Sequence, residues 1–115
     1  MGPYQNVKGD FYFMAIIDIT VVPVGTNTTS VSNYVASVHK LLADYKSKGV
    51  LTYELTPMST IIEGELSDLF QVVQHIHESI FDKDVKRITT NIRIDDRRDK
   101  QSSMQSKLES VKSKL

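Results

Sequence analysis

No cysteine occurs in the 115 residues, and that one absence removes disulfides, thiol catalysis and cysteine metal sites together. Net charge is missing too. The 14 basic residues match 14 acidic ones, so the chain carries no electrostatic footprint for nucleic acid or for an anionic membrane. Such a balance leaves little self-repulsion and is compatible with self-association. No apolar run approaches the ~18 residues of a membrane span and no signal peptide is visible, so a cytoplasmic location is expected. The length suits one domain with a modest core.

Four of the nine aromatics (Tyr4, Phe11, Tyr12 and Phe13) crowd into residues 1–13, among Gly2, Pro3 and Gly9. A clean strand pattern starts at Met14. Residues 1–13 therefore read as a leader or non-native extension, and residues 14–115 as a single domain. From Ala15 to Val24 the apolar residues Ile17, Ile19 and Val21 share one face and Asp18, Thr20 and Val22 the other. Pro23 and Gly25 end that strand. Val31, Tyr34, Val35, Val38, Leu42 and Tyr45 fall at helical spacing, which predicts a helix over about 30–47 with Ser30 as its N-cap. Gly49 stands just past its end, where a left-handed residue is often needed.

The stretch Tyr53–Glu65 reads as two short strands around a Pro57-Met58 corner, with Leu55 and Ile62 on buried faces. Pro57 has no amide hydrogen and suits an edge or turn. Thr56, Ser59 and Thr60 supply hydroxyls that can hold the corner or bind a small molecule. Leu66, Leu69, Phe70, Val73, Ile76 and Ile80 form the stripe of a second helix ending near Asp82, with Ser67 or Glu65 as its cap. A last strand over 87–95 points Ile88, Thr90, Ile92 and Ile94 one way and Thr89, Asn91, Arg93 and Asp95 the other. Met104, Leu108, Val111 and Leu115 recur at steps of four and three, a narrow stripe suited to a terminal helix that docks on a sheet edge or another subunit.

The order β-α-β-β-α-β plus a C-terminal helix predicts an α+β, ferredoxin-like βαββαβ fold with a four-stranded antiparallel sheet. Right-handed crossovers place both helices on one face. The other face stays bare, carrying Asp18, Thr20, Thr89, Asn91 and Arg93, with Glu54 and Thr56 placed there as well.

Other motifs weigh less. The Pro23–Ser30 loop leads into a helix N-terminus, where an anion can sit, although an ordinary capped loop explains it as well. Acylphosphatases use such a loop with an arginine, and none lies between Thr20 and Asn33. RNA-recognition sheets stack bases on aromatics, which the first strand after Met14 and the last strand lack. His75 and His77 lie two apart on a helix, about 200° around it, and do not readily share a metal. His39 is isolated. The run Asp95-Asp96-Arg97-Arg98-Asp99-Lys100 is expected to be structural, with the arginines tying down the terminal helix or a neighbouring subunit.

Ile16 to Gly25 (with Asp18-Ile19-Thr20-Val21-Val22-Pro23), the hairpin Tyr53 to Gly64 and the segment Arg87 to Lys100 together resemble the small thiamine-binding-protein family. The match runs from Met14 to Leu115. The resemblance implies a ferredoxin-like fold, a homotetramer built from packed sheets, and binding of thiamine or its hydroxymethylpyrimidine part without catalysis, cofactor or metal. An aminopyrimidine edge suits threonine, asparagine and carboxylate partners, and a flat ring suits an apolar or sulfur surface, which Met58 or Ile61 can supply. Thr20, Glu54, Thr56, Met58, Thr60, Thr89 and Asn91 are the expected ligand residues, held between the hairpin and adjacent inner strands. Glu54, Glu63 and Asp18 are available to face the thiazolium cation. Two alternatives remain: a regulatory or structural oligomer that senses another metabolite, and an acylphosphatase-like hydrolase.

Overall fold

The computed structural model describes residues 4–5, 11–12, 14–25, 32–81, 84–99 and 104–115. Its elements are β1 (Tyr4–Gln5), β2 (Phe11–Tyr12), β3 (Ala15–Pro23), α1 (Ser32–Ser47), β4 (Leu51–Leu55), β5 (Thr60–Gly64), α2 (Leu66–Ile80), β6 (Ile88–Asp96) and α3 (Met104–Ser113). Strands β3 to β6 form one antiparallel sheet in the order β4-β5-β3-β6, which is the expected βαββαβ arrangement followed by a terminal helix. Among the described residues β1 and β2 pair only with each other, Tyr4 opposite Tyr12 and Gln5 opposite Phe11.

Strand alternation decides which side is covered. In β3, Ala15, Ile17 and Ile19 are buried. Ile17 lies between Ile62 and Ile94, and Ile19 between Thr60 and Ile92. Over this face pack Val38 and Leu42 from α1 and Leu69, Val72, Ile76 and Ile80 from α2, with Leu51 and Val85 completing the core. Each such side chain stabilises the fold by roughly 1.5–3 kcal/mol when fully buried.

The α2 stripe differs from the expected one by a small rotation. Val72 is buried and Phe70 is half-exposed, because steps of three and four from Leu69 reach Val72 and Ile76 while Phe70 sits 100° round the helix. Leu55, expected inside, is exposed as well. It ends β4, an edge strand, beyond the cover of the helices. α2 ends at Ile80 and β6 begins at Ile88, each shifted slightly from expectation. The expected Ser30 cap and most of the Pro23–Ser30 loop lie outside the described residues.

The turns are built as the residue types require. Gly49 takes φ +76°, the left-handed conformation that closes α1. Glu65 caps α2, its side chain accepting from the Asp68 amide. Burial works against the Glu65 charge, but the Ser67 hydroxyl and the amides of Ser67 and Asp68 win, holding its carboxyl below the usual range. Gly64 lies where the hairpin passes under α2. A Cβ there would meet the Val50 carbonyl at 2.9 Å and Leu69 Cδ2 at 3.1 Å.

At the C-terminal end the charge run pairs differently from expectation. Arg97 binds Asp99 and Arg98 binds Asp96, each two residues away and each through two nitrogens or two oxygens. The tie from α3 to the sheet is instead Lys107 Nζ to Asp95 Oδ2 at 2.7 Å. Leu108, Val111 and Leu115 stay exposed in the single chain. No helix among the described residues is long and apolar enough to cross a membrane.

Candidate functional site

The face of the sheet turned away from the helices is assembled by register. One row runs Glu54, Ile61, Asp18, Arg93 across β4, β5, β3 and β6. The row beside it runs Thr52, Glu63, Ile16, Asp95. In the other direction Thr20 stands opposite Asn91, and Val22 opposite Thr89. Neighbours within a row sit about 4.8 Å apart, so a flat molecule laid on this face touches three or four of them.

A shallow depression of about 320 Å³ occupies the middle of the face, lined by Ile16, Asp18, Ile61, Arg93, Ile94 and Asp95. Small-molecule pockets run from roughly 300 to 1,000 Å³, so this one has room for a ring system. Ile16 and Ile61 give an apolar floor. Asp18 gives a fixed charge: the Arg93 guanidinium donates to its Oδ2, and the Ser59 hydroxyl also bonds to it. The Arg93 bond is the largest influence and holds the Asp18 carboxyl below its usual range, despite partial burial. Asp18 is 23% exposed at its side chain, whereas Arg93 is 84% exposed. Glu63, next to Ile16 in the second row, is buried.

The seven expected ligand residues are not brought together as a set. Thr20 and Asn91 are cross-strand partners on the open face, and Thr89 and Glu54 lie on the same face. β6 is an edge strand, however, so only Thr20 of this group stands on an inner strand. Thr56 belongs to the corner rather than to a strand. Its hydroxyl donates to the Ser59 carbonyl at 2.8 Å and accepts from the Ser59 amide at 3.0 Å and the Met58 amide at 3.3 Å. That hydroxyl is engaged in holding the turn. Met58 projects from the corner, 85% exposed.

Thr60 points the opposite way, because it pairs with the buried Ile19 and shares its side of the sheet. There it borders a cavity of about 70 Å³ formed with Ile19, Val21, Tyr34, Val38 and Ile76, among others. An engineered cavity of about 150 Å³ holds a single benzene, so this one admits no complete ring without movement.

Sequence reading named Ile61 as a ring surface and Ser59 as a hydroxyl of the corner, but it missed Ile16 and did not join Asp18 to Arg93. Strand parity already put the last two on one face. Joining them needed the β3–β6 register. The histidines each stand beside a hydroxyl of another element: Tyr45 Oη lies 2.8 Å from His75 Nδ1, Thr90 Oγ1 2.7 Å from His77 Nδ1, and Tyr53 Oη 3.5 Å from His39 Nδ1. None lines the depression. Among the described residues, no three His, Asp or Glu side chains are grouped to hold a metal.

Comparison with known proteins adds to this geometry. A family model described as thiamine-binding protein matches residues 17–112. UPF0045 protein YqgV of Bacillus subtilis is 59% identical over 102 residues, which cover 89% of this chain and 98% of that one. A UPF0045 protein of Methanothermobacter thermautotrophicus is 38% identical over 103 residues, covering 89% and 100%. Among solved structures, a hypothetical protein of Methanocaldococcus jannaschii superposes with a TM-score of 0.74 at 26% identity, over 85% of this chain and 95% of that one. A proposed thiamine biosynthesis/salvage protein of Thermotoga maritima gives a TM-score of 0.68 over 85% and 98%. At 17% identity it shares the fold.

Proposed function

The chain belongs to the thiamine-binding protein family, and on that premise we propose that it binds thiamine or its hydroxymethylpyrimidine moiety on the open face of the sheet, without catalysis. The observation that carries the reading is the depression itself. It offers an apolar floor for a flat ring and an ionised carboxylate, Asp18, for a cationic one. Thr20 and Asn91 stand one row away, where a hydroxyl and an amide can pair with the donor–acceptor edge of an aminopyrimidine. Glu54 flanks Ile61 on the side opposite Asp18.

A depression open on one side buries a ligand poorly. We therefore place the ligand between two such faces, in a homo-oligomer, with a tetramer as the preferred assembly, in the cytoplasm. Half-exposed Val22 enlarges the apolar area of this face. Large contiguous apolar patches on a soluble chain mark interaction surfaces.

Calorimetric titration with thiamine and with hydroxymethylpyrimidine tests the binding, and light scattering on the same samples tests the assembly. Asn91→Ala is expected to weaken the ligand tenfold or more, about 1.4 kcal/mol. Thr60→Val locates the site: it reaches only the helix side and is expected to leave affinity intact. Loss of binding in Thr60→Val with none in Asn91→Ala would move the ligand to the helix-side cavity. A monomer mass at micromolar concentration would remove the sheet-to-sheet arrangement.

A further inference from the structure

We infer that Arg93 makes this face select a zwitterionic ligand, one joining a cationic ring to an anionic phosphate, over the bare cation. The inference rests on the proposed site and names the ligand class that site prefers.

The charge on Asp18 is already in use. A cationic ring laid on Ile61 approaches Asp18 from one side, while the Arg93 guanidinium holds Asp18 from the other. A ligand carrying only a positive charge meets a carboxylate that is already half-neutralised and a second cation beside it. It must share Asp18 or displace Arg93. Neither adds much, because each leaves one positive charge without a full partner.

An anionic group on the same ligand changes the balance. A guanidinium has five N–H donors in a planar fork. Among the described residues Arg93 spends one nitrogen, Nη2, on Asp18, and its side chain is 84% exposed. On a side chain this exposed, on an edge strand, the remaining donors can take two phosphate oxygens while the bond to Asp18 persists. The positive ring then faces Asp18 and the phosphate faces Arg93. Opposite charges alternate along the row, and no existing pair breaks.

The spacing fits. Ile61 and Arg93 lie two strand positions apart, about 10 Å between backbones, and the long Arg93 side chain folds back to the intervening Asp18. A ring on Ile61 with a phosphate on a two-carbon arm spans the remaining distance. Asp95, the acidic neighbour that would oppose a phosphate most directly, is held by Lys107 at 2.7 Å.

The experiment is a set of calorimetric titrations with thiamine, thiamine monophosphate, hydroxymethylpyrimidine and inorganic phosphate, on the wild-type chain and on Arg93→Gln and Arg93→Lys. The monophosphate is expected to bind at least tenfold tighter than thiamine. That margin should shrink with added salt, because both charges are partly exposed. Arg93→Gln is expected to bring the two affinities together, and Arg93→Lys to retain part of the difference as a point charge without the fork. Unfolding midpoints on the same variants show that each is folded. Equal wild-type affinities for thiamine and its monophosphate overturn this inference and leave the proposed function standing. So does a preference that survives Arg93→Gln. Tight binding of inorganic phosphate alone, with no gain from the ring, also overturns it. If no ring compound binds the folded protein, the proposed function falls and this inference with it.

Discussion

The two faces of the β4-β5-β3-β6 sheet are made from the same four strands, one residue out of step. Ile17, Ile19 and Ile62 look toward the helices and are buried, while Ile16, Asp18 and Ile61, their immediate neighbours in the chain, look the other way. On the helix side polar groups are few, and voids are small. On the open side charges sit in rows, and a broad depression lies between them. A protein interior is close-packed, so the covered face has no room left for a ligand-sized molecule. The uncovered face keeps its room because nothing in the described chain fills it. Stability and the proposed recognition are thus separated by a single step in strand parity.

The sharpest way to break that contrast is a pair of substitutions one residue apart. Ile62→Ala should cost about 2–5 kcal/mol in denaturant unfolding, since it opens a cavity in the buried core. Ile61→Ala should cost about 1 kcal/mol or less in the single chain. Its larger effect should appear as weaker ligand binding or weaker assembly. Equal stability losses in the two variants would show that the faces are not divided as described.

Gly64→Ala comes next. The added methyl meets the Val50 carbonyl and Leu69 at distances that force the backbone or helix to shift, so a loss of about 1–3 kcal/mol is expected. The urea midpoint measures it. An unchanged midpoint would mean that α2 can lift from the hairpin freely.

A smaller effect lies in the acid limb of the stability curve. Asp18 is held below the usual carboxylate range in the folded chain, chiefly by the Arg93 bond, so the folded state gives up this proton more readily than the unfolded state does. Its contribution is complete above the ordinary carboxylate value and is lost as pH falls through the lowered folded one. Asp18→Asn should therefore flatten the fall in stability below that range. If both proteins lose stability in parallel on acidification, the pair on the open face contributes nothing to folding.

Met58→Ala should do least. The side chain projects from the corner, and the turn is held by Thr56 rather than by it, so a change within about 0.5 kcal/mol is expected. Thr56→Val at the same corner should cost more, by removing the acceptor of two amides. Reversal of that order in thermal melts would place the corner's strength in Met58.

Much of the fold was legible because it depends on local periodicity. The period-two alternation in β3 and β6, the Tyr34, Val38, Leu42 and Tyr45 part of the α1 stripe, the left-handed Gly49 and Glu65 as one of two candidate caps each follow from residue types a few positions apart, whereas Val35 of that stripe is exposed. The family resemblance rested on those same stretches. Less legible were Phe70 against Val72, where two apolar neighbours compete for one helix face, and Leu55, whose apolar character says nothing about where the helices stop covering an edge strand. The arginine pairs were misplaced for a similar reason: Arg97 and Arg98 reach carboxylates two residues away before any helix is within range.

By itself the sequence determined the elements from β3 to α3, their order and the side of most strands that is apolar, because side-chain alternation and helical spacing act over a few residues; it did not show the β1–β2 pair. Only tertiary structure decided which of these sides meet. Register put Asp18 beside Arg93, which is 75 positions further along the chain, and set Ile61 between Asp18 and Glu54. Register likewise turned Thr60 away from Thr20 and Asn91, although all three look equally suitable in the sequence. Pairing distant strands is a property of the whole sheet, and a shift of one residue would exchange the buried and the open set.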